Sequence, residues 1–309
     1  MHRAASASLA ILFALAPARA TELAPYVWSW GATSTLVEAP NLTTATLAFV
    51  IAGAGCRDDG MVRAMAPEVE RFRAKGGRVI LSFGGQAGTP IEAACGDDDQ
   101  LLALIESVMD ALGTRALDFD VEGPQLENGE ASARRTRVLR RLQAKHPGLT
   151  VSLTLPVAPD GLPAPALDLV KSTVAGGVHL SVVNIMTMDY GRGTTDLGAV
   201  AIRSAEATIS QLEAVFPYSS RAQRFGRLGI TPMIGRNDDG SVFTVADARQ
   251  VARYAAQKGL GRLSFWALQR DRPGASIETA SGVDAPPFAY FDALRDLPPP
   301  PVRKPSKPG

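Results

Sequence analysis

Three carboxylates stand on alternate residues in Ala116-Leu117-Asp118-Phe119-Asp120-Val121-Glu122. In an extended strand successive side chains point to opposite faces. Asp118, Asp120 and Glu122 therefore share one face, and Leu117, Phe119 and Val121 the other. Neighbours on one face lie roughly 6.6–7 Å apart. The apolar face is the one that packs on covering helices, which turns the carboxylates inward. Carboxylates gathered away from water cannot all ionise, so at least one keeps its proton near neutral pH. A retained proton is what a general acid needs. The same alternation of oxygen ligands also suits calcium or magnesium, and that alternative stays open at this point.

Other reactive groups are scarce. The chain of 309 residues has three His and two Cys. Its first residues read as an export leader over 1–20: Arg3 is followed by the apolar run Leu9 to Ala16 and then by Ala18-Arg19-Ala20 at the cleavage positions. That run is far shorter than the ~20 residues of a membrane span. Cleavage would remove His2 and leave His146 and His179. Both precede expected strands, at the end opposite to the face where α/β barrels do their chemistry. A Ser-His-Asp triad and a His-rich zinc site are therefore disfavoured, and acid–base work falls to carboxylates. Export also makes a Cys56–Cys95 disulfide the expected state of the two cysteines. No metal and no cofactor is called for.

Lys and Arg number 32 against 31 Asp and Glu, a formal balance of +1. Nucleic-acid binding wants a clear basic excess, and membrane-surface binding a polybasic patch, so neither partner is expected. With 46% hydrophobic and 20% charged residues the chain is an ordinary globular protein. A monomer is expected.

Strand-like segments recur at 26–30, 45–51, 78–82, 116–121, 150–155, 181–188, 228–231 and 262–266. Helical patterns lie between them at 67–75, 98–112, 130–145, 197–215 and 245–258, each stopping just before Gly or Pro. This alternation predicts a single α/β domain, a (β/α)8 TIM barrel over 21–296. A doubly wound dinucleotide fold is the weaker reading, because Gly53-Ala54-Gly55 has Asp58 where a third Gly belongs. Six of the last twelve residues are Pro, and 297–309 reads as an extended tail. Trp28 and Trp30 end the first strand and Trp266 ends the eighth, its neighbour once a barrel closes. An indole at the barrel mouth suits the apolar face of a pyranose. For Trp28 and Trp30, which share a face, core packing is an equal reading.

The carboxylate strand resembles the catalytic strand of the family 18 glycoside hydrolases, the chitinases and their relatives, whose motif is Asp-x-x-Asp-x-Asp-x-Glu. Asp118, Asp120 and Glu122 match its last three acids, while Arg115 stands at the first and deepest position. Ser82-Phe83-Gly84-Gly85 is similar to the Ser-x-Gly-Gly of the third strand, and Asn184-Ile185-Met186-Thr187-Met188-Asp189-Tyr190 to the sixth-strand motif. Many members have Tyr where Met188 stands; a bacterial subgroup carries the Met-Thr-Met-Asp-Tyr form, with counterparts of Leu155-Pro156 and Thr231-Pro232-Met233-Ile234-Gly235.

The resemblance implies a secreted glycosidase cleaving β-1,4-linked N-acetylglucosamine polymers, chitin or its oligosaccharides. The substrate's acetamido group would be the nucleophile, an exception to the two-carboxylate scheme that still retains anomeric configuration. It implies Glu122 as acid and then base, Asp120 as partner of the acetamido N–H, and Asp118 as its tuner. It implies Met186, Asp189, Tyr190 and Trp266 as substrate contacts. A non-catalytic glycan-binding barrel, and a hydrolase of N-glycans or peptidoglycan, are the alternatives.

Overall fold

The computed structural model describes residues 21–30 and 35–295. The expected leader over 1–20 and tail over 297–309 lie outside the described residues. The strands are β1 (Glu22–Leu23), β2 (Tyr26–Trp28), β3 (Thr44–Val50), β4 (Arg78–Gly84), β5 (Ala116–Asp120), β6 (Thr150–Pro156), β7 (Leu180–Met186), β8 (Leu228–Thr231), β9 (Gly235–Arg236), β10 (Val242–Phe243) and β11 (Arg262–Leu263).

Nine of them form one parallel sheet in the order β1-β11-β8-β7-β6-β5-β4-β3-β2. Its two ends belong to one run of chain. Ala24 N–H donates to Leu263 carbonyl at 2.8 Å and Tyr26 N–H to Phe265 carbonyl at 3.1 Å, while Pro25 carbonyl accepts Thr46 N–H at 2.8 Å. Residues 22–28 thus bond to β11 on one side and to β3 on the other, and the sheet closes on itself as a (β/α)8 barrel. Pro25, which has no N–H to give, splits this first strand into β1 and β2. The expected start at Tyr26 therefore missed Glu22–Leu23. An open doubly wound sheet is excluded by the closure.

The helices wrap outside. Asp98–Leu112 is capped by Asp97, whose side chain accepts Gln100 N–H at 2.8 Å. It lays Leu101, Ile105, Val108 and Met109 against the sheet, all buried. Each such burial contributes about 1.5–3 kcal/mol. Val245–Lys258 begins with a reciprocal capping box between Thr244 and Asp247. Ala164–Ala175 was not among the expected helices; Pro165 sits in its first turn, where a missing N–H costs nothing. The short antiparallel pair β9–β10, after the seventh barrel strand, was also unforeseen. Among the described residues no helix is long and apolar enough to cross a membrane.

The barrel interior is unusually polar. Where most barrels carry layers of branched apolar residues, this one carries buried Thr46, Ser82, Asp118, Ser152, Thr154, Asn184 and Ser264. Cys56 and Cys95 are joined in a disulfide, as expected, tying the loop after β3 to the loop after β4. Arg134 stitches the second loop to helix Gly129–Lys145 through bonds to the carbonyls of Glu92 and Cys95, and Arg135 does so through a buried ion pair with Glu92 at 2.5 Å.

Candidate active site

β5 alternates as its sequence requires. Leu117, Phe119 and Val121 are buried among the helices, Phe119 stacking on Phe83 at 5.0 Å. Asp118 and Asp120 point into the barrel and are 0% and 4% exposed. Glu122 lies just past the strand with extended backbone (φ −143°, ψ 167°), so the alternation carries on and Glu122 reaches the mouth.

Asp118 is the lowest of the three and is held on all sides. Oδ2 accepts from Tyr26 Oη at 3.0 Å and Ser82 Oγ at 2.8 Å. Oδ1 accepts from Ser152 Oγ at 2.6 Å and Thr154 Oγ1 at 2.9 Å. Thr154 is in turn a target of Asn184 Nδ2 at 3.0 Å. Four hydroxyls from β2, β4 and β6 thus fix one carboxylate. Burial, and then the charges of Asp118 and Asp120, keep the Tyr26 phenol protonated far above its ordinary range, so it stays a donor.

Asp120, one step higher, has a buried Oδ1 without a hydrogen-bond partner. Burial first, then the charges of Glu122 and Asp118 and a hydrogen bond with Glu122, hold its proton on well above the ordinary carboxylate range. Burial likewise raises Glu122, with the charge of Asp189 adding to the effect and the hydrogen bond with Asp120 opposing it. The pair shares protons as a unit, and a buried carboxylate oxygen facing a cavity can accept from a donor on a ligand.

The Gly pair after β4 has a steric reason. Gly84 has φ +100°, and a Cβ there would stand 2.2 Å from the Asp120 carbonyl oxygen. Gly85 has φ +86°, donates its N–H to that same carbonyl at 3.0 Å, and leaves space for the Phe49 ring, 2.7 Å from where its Cβ would be. Ser82, Gly84 and Gly85 therefore serve the carboxylate strand directly, one by bonding Asp118 and two by letting Asp120 come close.

A cavity of about 150 Å³ opens over these groups, lined by Asp120, Glu122, Met186, Met188, Asp189 and Trp266 together with Tyr26, Phe49, Gln86, Thr154, Thr231, Met233 and Asp238. Trp266 stacks on Phe49 with ring centres 5.6 Å apart and planes at 9°. Tyr26, Trp28 and Trp30 pack round it at 6.0, 6.0 and 6.1 Å. Trp28 is buried, held by a two-way backbone contact with Gln269, whereas Trp30 is 41% exposed and stacks on Trp28.

Of the residues expected at the site, Asp120, Glu122, Met186, Asp189 and Trp266 meet at one cavity, with Asp118 directly beneath. Tyr190 does not join them. Asp189 has a left-handed backbone (φ +54°), which breaks the alternation after β7 and sends Tyr190 outward to bond Ser204 on helix Leu197–Val215 at 2.8 Å. Met188 lines the cavity instead. Asp189 is clasped by the β9–β10 loop: its carboxylate accepts Asp239 N–H at 3.1 Å and its own N–H donates to Asn237 at 3.2 Å. Arg115 is not the deepest member of the strand. It precedes β5 at the opposite end of the barrel, largely in solvent, paired with Asp110. Phe49, Gln86, Met233 and Asp238 were not foreseen as site residues. Tyr26 had a signal, since it alternates with Trp28 and Trp30 on one face. His146 and His179 lie at the far end, His146 paired with Glu106 at 2.6 Å. Among the described residues no group of three or more His, Cys, Asp or Glu is placed to hold a metal ion.

No family model matches the chain. The catalytic domain of a hyperthermophilic chitinase from Pyrococcus furiosus is 32% identical and superposes with a TM-score of 0.82 over 91% of this chain and 96% of that one. Catalytic-site mutants of active domain 2 of a chitinase from the same organism, complexed with chito-oligosaccharides, superpose at 0.83 with 31% identity over 91% and 95%. Endochitinase 11 of Metarhizium anisopliae is 32% identical over 76% of this chain, and a probable bifunctional chitinase/lysozyme of Escherichia coli is 33% identical over 68%. The chain spans 49% and 25% of the lengths of those two curated relatives. Inward carboxylates rising to a barrel mouth, a stacked indole beside them and identity above thirty per cent across a whole catalytic domain place the chain in the family 18 chitinases.

Proposed function

We propose that the chain hydrolyses β-1,4-linked N-acetylglucosamine polymers, chitin or its oligosaccharides, with retention of anomeric configuration. The observation that carries this is the unpartnered, buried Oδ1 of Asp120 between the fixed Asp118 and the raised Glu122. Glu122 gives its proton to the glycosidic oxygen. The substrate's acetamido oxygen attacks the anomeric carbon as the leaving group departs. Asp120 accepts the acetamido N–H and balances the cationic ring that forms. Glu122, now a base, takes a proton from the water that opens that ring. Trp266 and Phe49 give the sugar an apolar wall, and Met186, Met188 and Asp189 line the cavity opposite. Tyr190, turned to Ser204, takes no part in this reading.

Export is part of the proposal. A disulfide between Cys56 and Cys95 suits an oxidising compartment, and the first residues carry the charge and small-residue pattern of a leader. N-terminal sequencing of the protein recovered outside the cytoplasm should begin near residue 21.

Product analysis on N-acetylglucosamine oligomers of defined length, with the anomer observed before mutarotation, tests the reaction. The expected product is the β-anomer. A folded protein that binds the oligomers without turnover would instead be a glycan-binding barrel, and the α-anomer would reject the mechanism. The lysozyme half of the Escherichia coli relative's name makes peptidoglycan the second substrate to assay.

A further inference from the structure

Beneath the carboxylates lies a buried cation that the reaction above leaves unused. Arg262 is the first residue of β11, a few residues before Trp266, and its side chain is 7% exposed. One nitrogen, Nη1, donates to Ser152 Oγ at 3.0 Å. Nη2 and Nε face Glu22 Oε2 at 3.3 and 3.4 Å. Glu22 also pairs with Arg78, whose side chain is 65% exposed. Ser152 Oγ stands 2.6 Å from Asp118 Oδ1 and 3.3 Å from Leu117 carbonyl.

Proton bookkeeping constrains this chain. A guanidinium has donors only and does not lose its proton. Ser152 Oγ must therefore accept from Arg262, and its single proton goes to the nearer acceptor, Asp118 Oδ1. The cation thus takes one lone pair of Ser152 and leaves its proton free for the shortest hydrogen bond to Asp118. The other groups facing Asp118 are Tyr26 from β2, Ser82 from β4, Asp120 from β5 and Thr154 from β6; Arg262 is the only cation to reach this shell among the described residues.

We propose that Arg262 is a positioning residue for the reaction, acting through Ser152 to hold the Asp118 carboxylate in place beneath Asp120. The inference rests on the glycosidase reading above, in which Asp120 must give up its proton to receive the acetamido N–H. The charge of Asp118 is one of the groups acting on Asp120. Taking the cation away removes a positive charge from the neighbourhood of Asp120, which then binds its proton more tightly. The acidic limb of kcat/KM then moves to higher pH.

The test is a double-mutant cycle of Arg262→Gln and Ser152→Ala, read as kcat, KM and pH profile on a chromogenic chitotrioside. Each single variant is expected to lower kcat roughly tenfold with KM little changed, and to shift the acidic limb upward. In the Ser152→Ala background Arg262→Gln should add nothing further, and Arg262→Lys should restore part of the profile. Independent, multiplying effects would overturn the proposal, as would an acidic limb that stays in place in Ser152→Ala. Should Arg262→Gln fail to fold, Arg262→Lys is compared in the wild-type and Ser152→Ala backgrounds, and a change in profile that Ser152→Ala does not abolish overturns the proposal. An inactive wild type would sink the glycosidase reading; carboxylate titration by NMR in wild type and variants would then still show whether Arg262 works through Ser152.

Discussion

At the scale of single residues, the site rests on protons kept where solvent would remove them. Burial raises Glu122, so its acid form persists above the ordinary value of about 4.3. A reaction that needs that proton loses rate only as pH rises through the raised value. The basic limb of kcat/KM should therefore lie above the ordinary carboxylate range; a limb at the ordinary value would reject Glu122 as the acid. Glu122→Gln keeps the shape and removes the proton, and kcat is expected to fall about 10²- to 10⁴-fold with the melting temperature unchanged. Gly84 matters for a different reason. Ala there meets both a left-handed backbone and the Asp120 carbonyl at 2.2 Å. Gly84→Ala should cost more than ~1 kcal/mol in denaturant unfolding and also lower kcat, since the backbone that moves carries Asp120.

At the scale of elements, one device braces loops beside the site and another holds the last described helix. The Cys56–Cys95 bond links positions 39 residues apart and joins the loops leaving β3 and β4, the strands that supply Phe49 and Gly84. Constraining a loop of that length is worth about 2–4 kcal/mol. Reduction, or Cys56→Ser with Cys95→Ser, should lower stability by that amount while leaving KM within about threefold, because neither sulfur lines the cavity. Asp271 supports helix Ala289–Arg295 by accepting Tyr290 and Phe291 N–H at 3.2 and 2.7 Å. Its burial pushes the carboxyl from 3.8 up to about 6. The folded state then binds more protons than the unfolded state between those values, so this group's contribution to stability falls as pH rises from about 3.8 to about 6. Asp271→Asn should flatten that decline. A difference in unfolding free energy between wild type and variant that does not vary over this window would contradict the assignment.

At the scale of the whole molecule, what was legible in the sequence was whatever depends on local period. Asp118, Asp120 and Glu122 share a face because strands alternate, and the helices end at Gly113 and Gly259 because a left-handed cap favours a residue without a Cβ. Phe49 and Asp238 reach the cavity only because a sheet closes, with β3 brought beside the first strand and the β9–β10 loop laid against Asp189. No nearby pattern reports such closure. Tyr190 was misplaced because one left-handed residue, Asp189, resets the alternation. Arg115 stood in a matching motif position but falls before the strand begins.

Closure also separates the two ends of the barrel. The mouth holds the carboxylates and the stacked indole; the other end holds Arg115 with Asp110, and His146 with Glu106 and Lys145. These far-end pairs lie on the rim, outside the interior line that runs from Glu22 through Arg262 and Ser152 to Asp118. Exposed pairs of the Arg115 kind contribute about 0–1 kcal/mol. Arg115→Ala and His146→Gln should therefore leave kcat and the acidic limb within twofold of wild type, although Arg115 departs from the family motif and Arg262 does not appear in it. A tenfold loss in either rim variant would mean that the far end reaches the carboxylates by a route other than the barrel axis, since no hydrogen bond from the Arg115 or His146 side chain leads to Asp118.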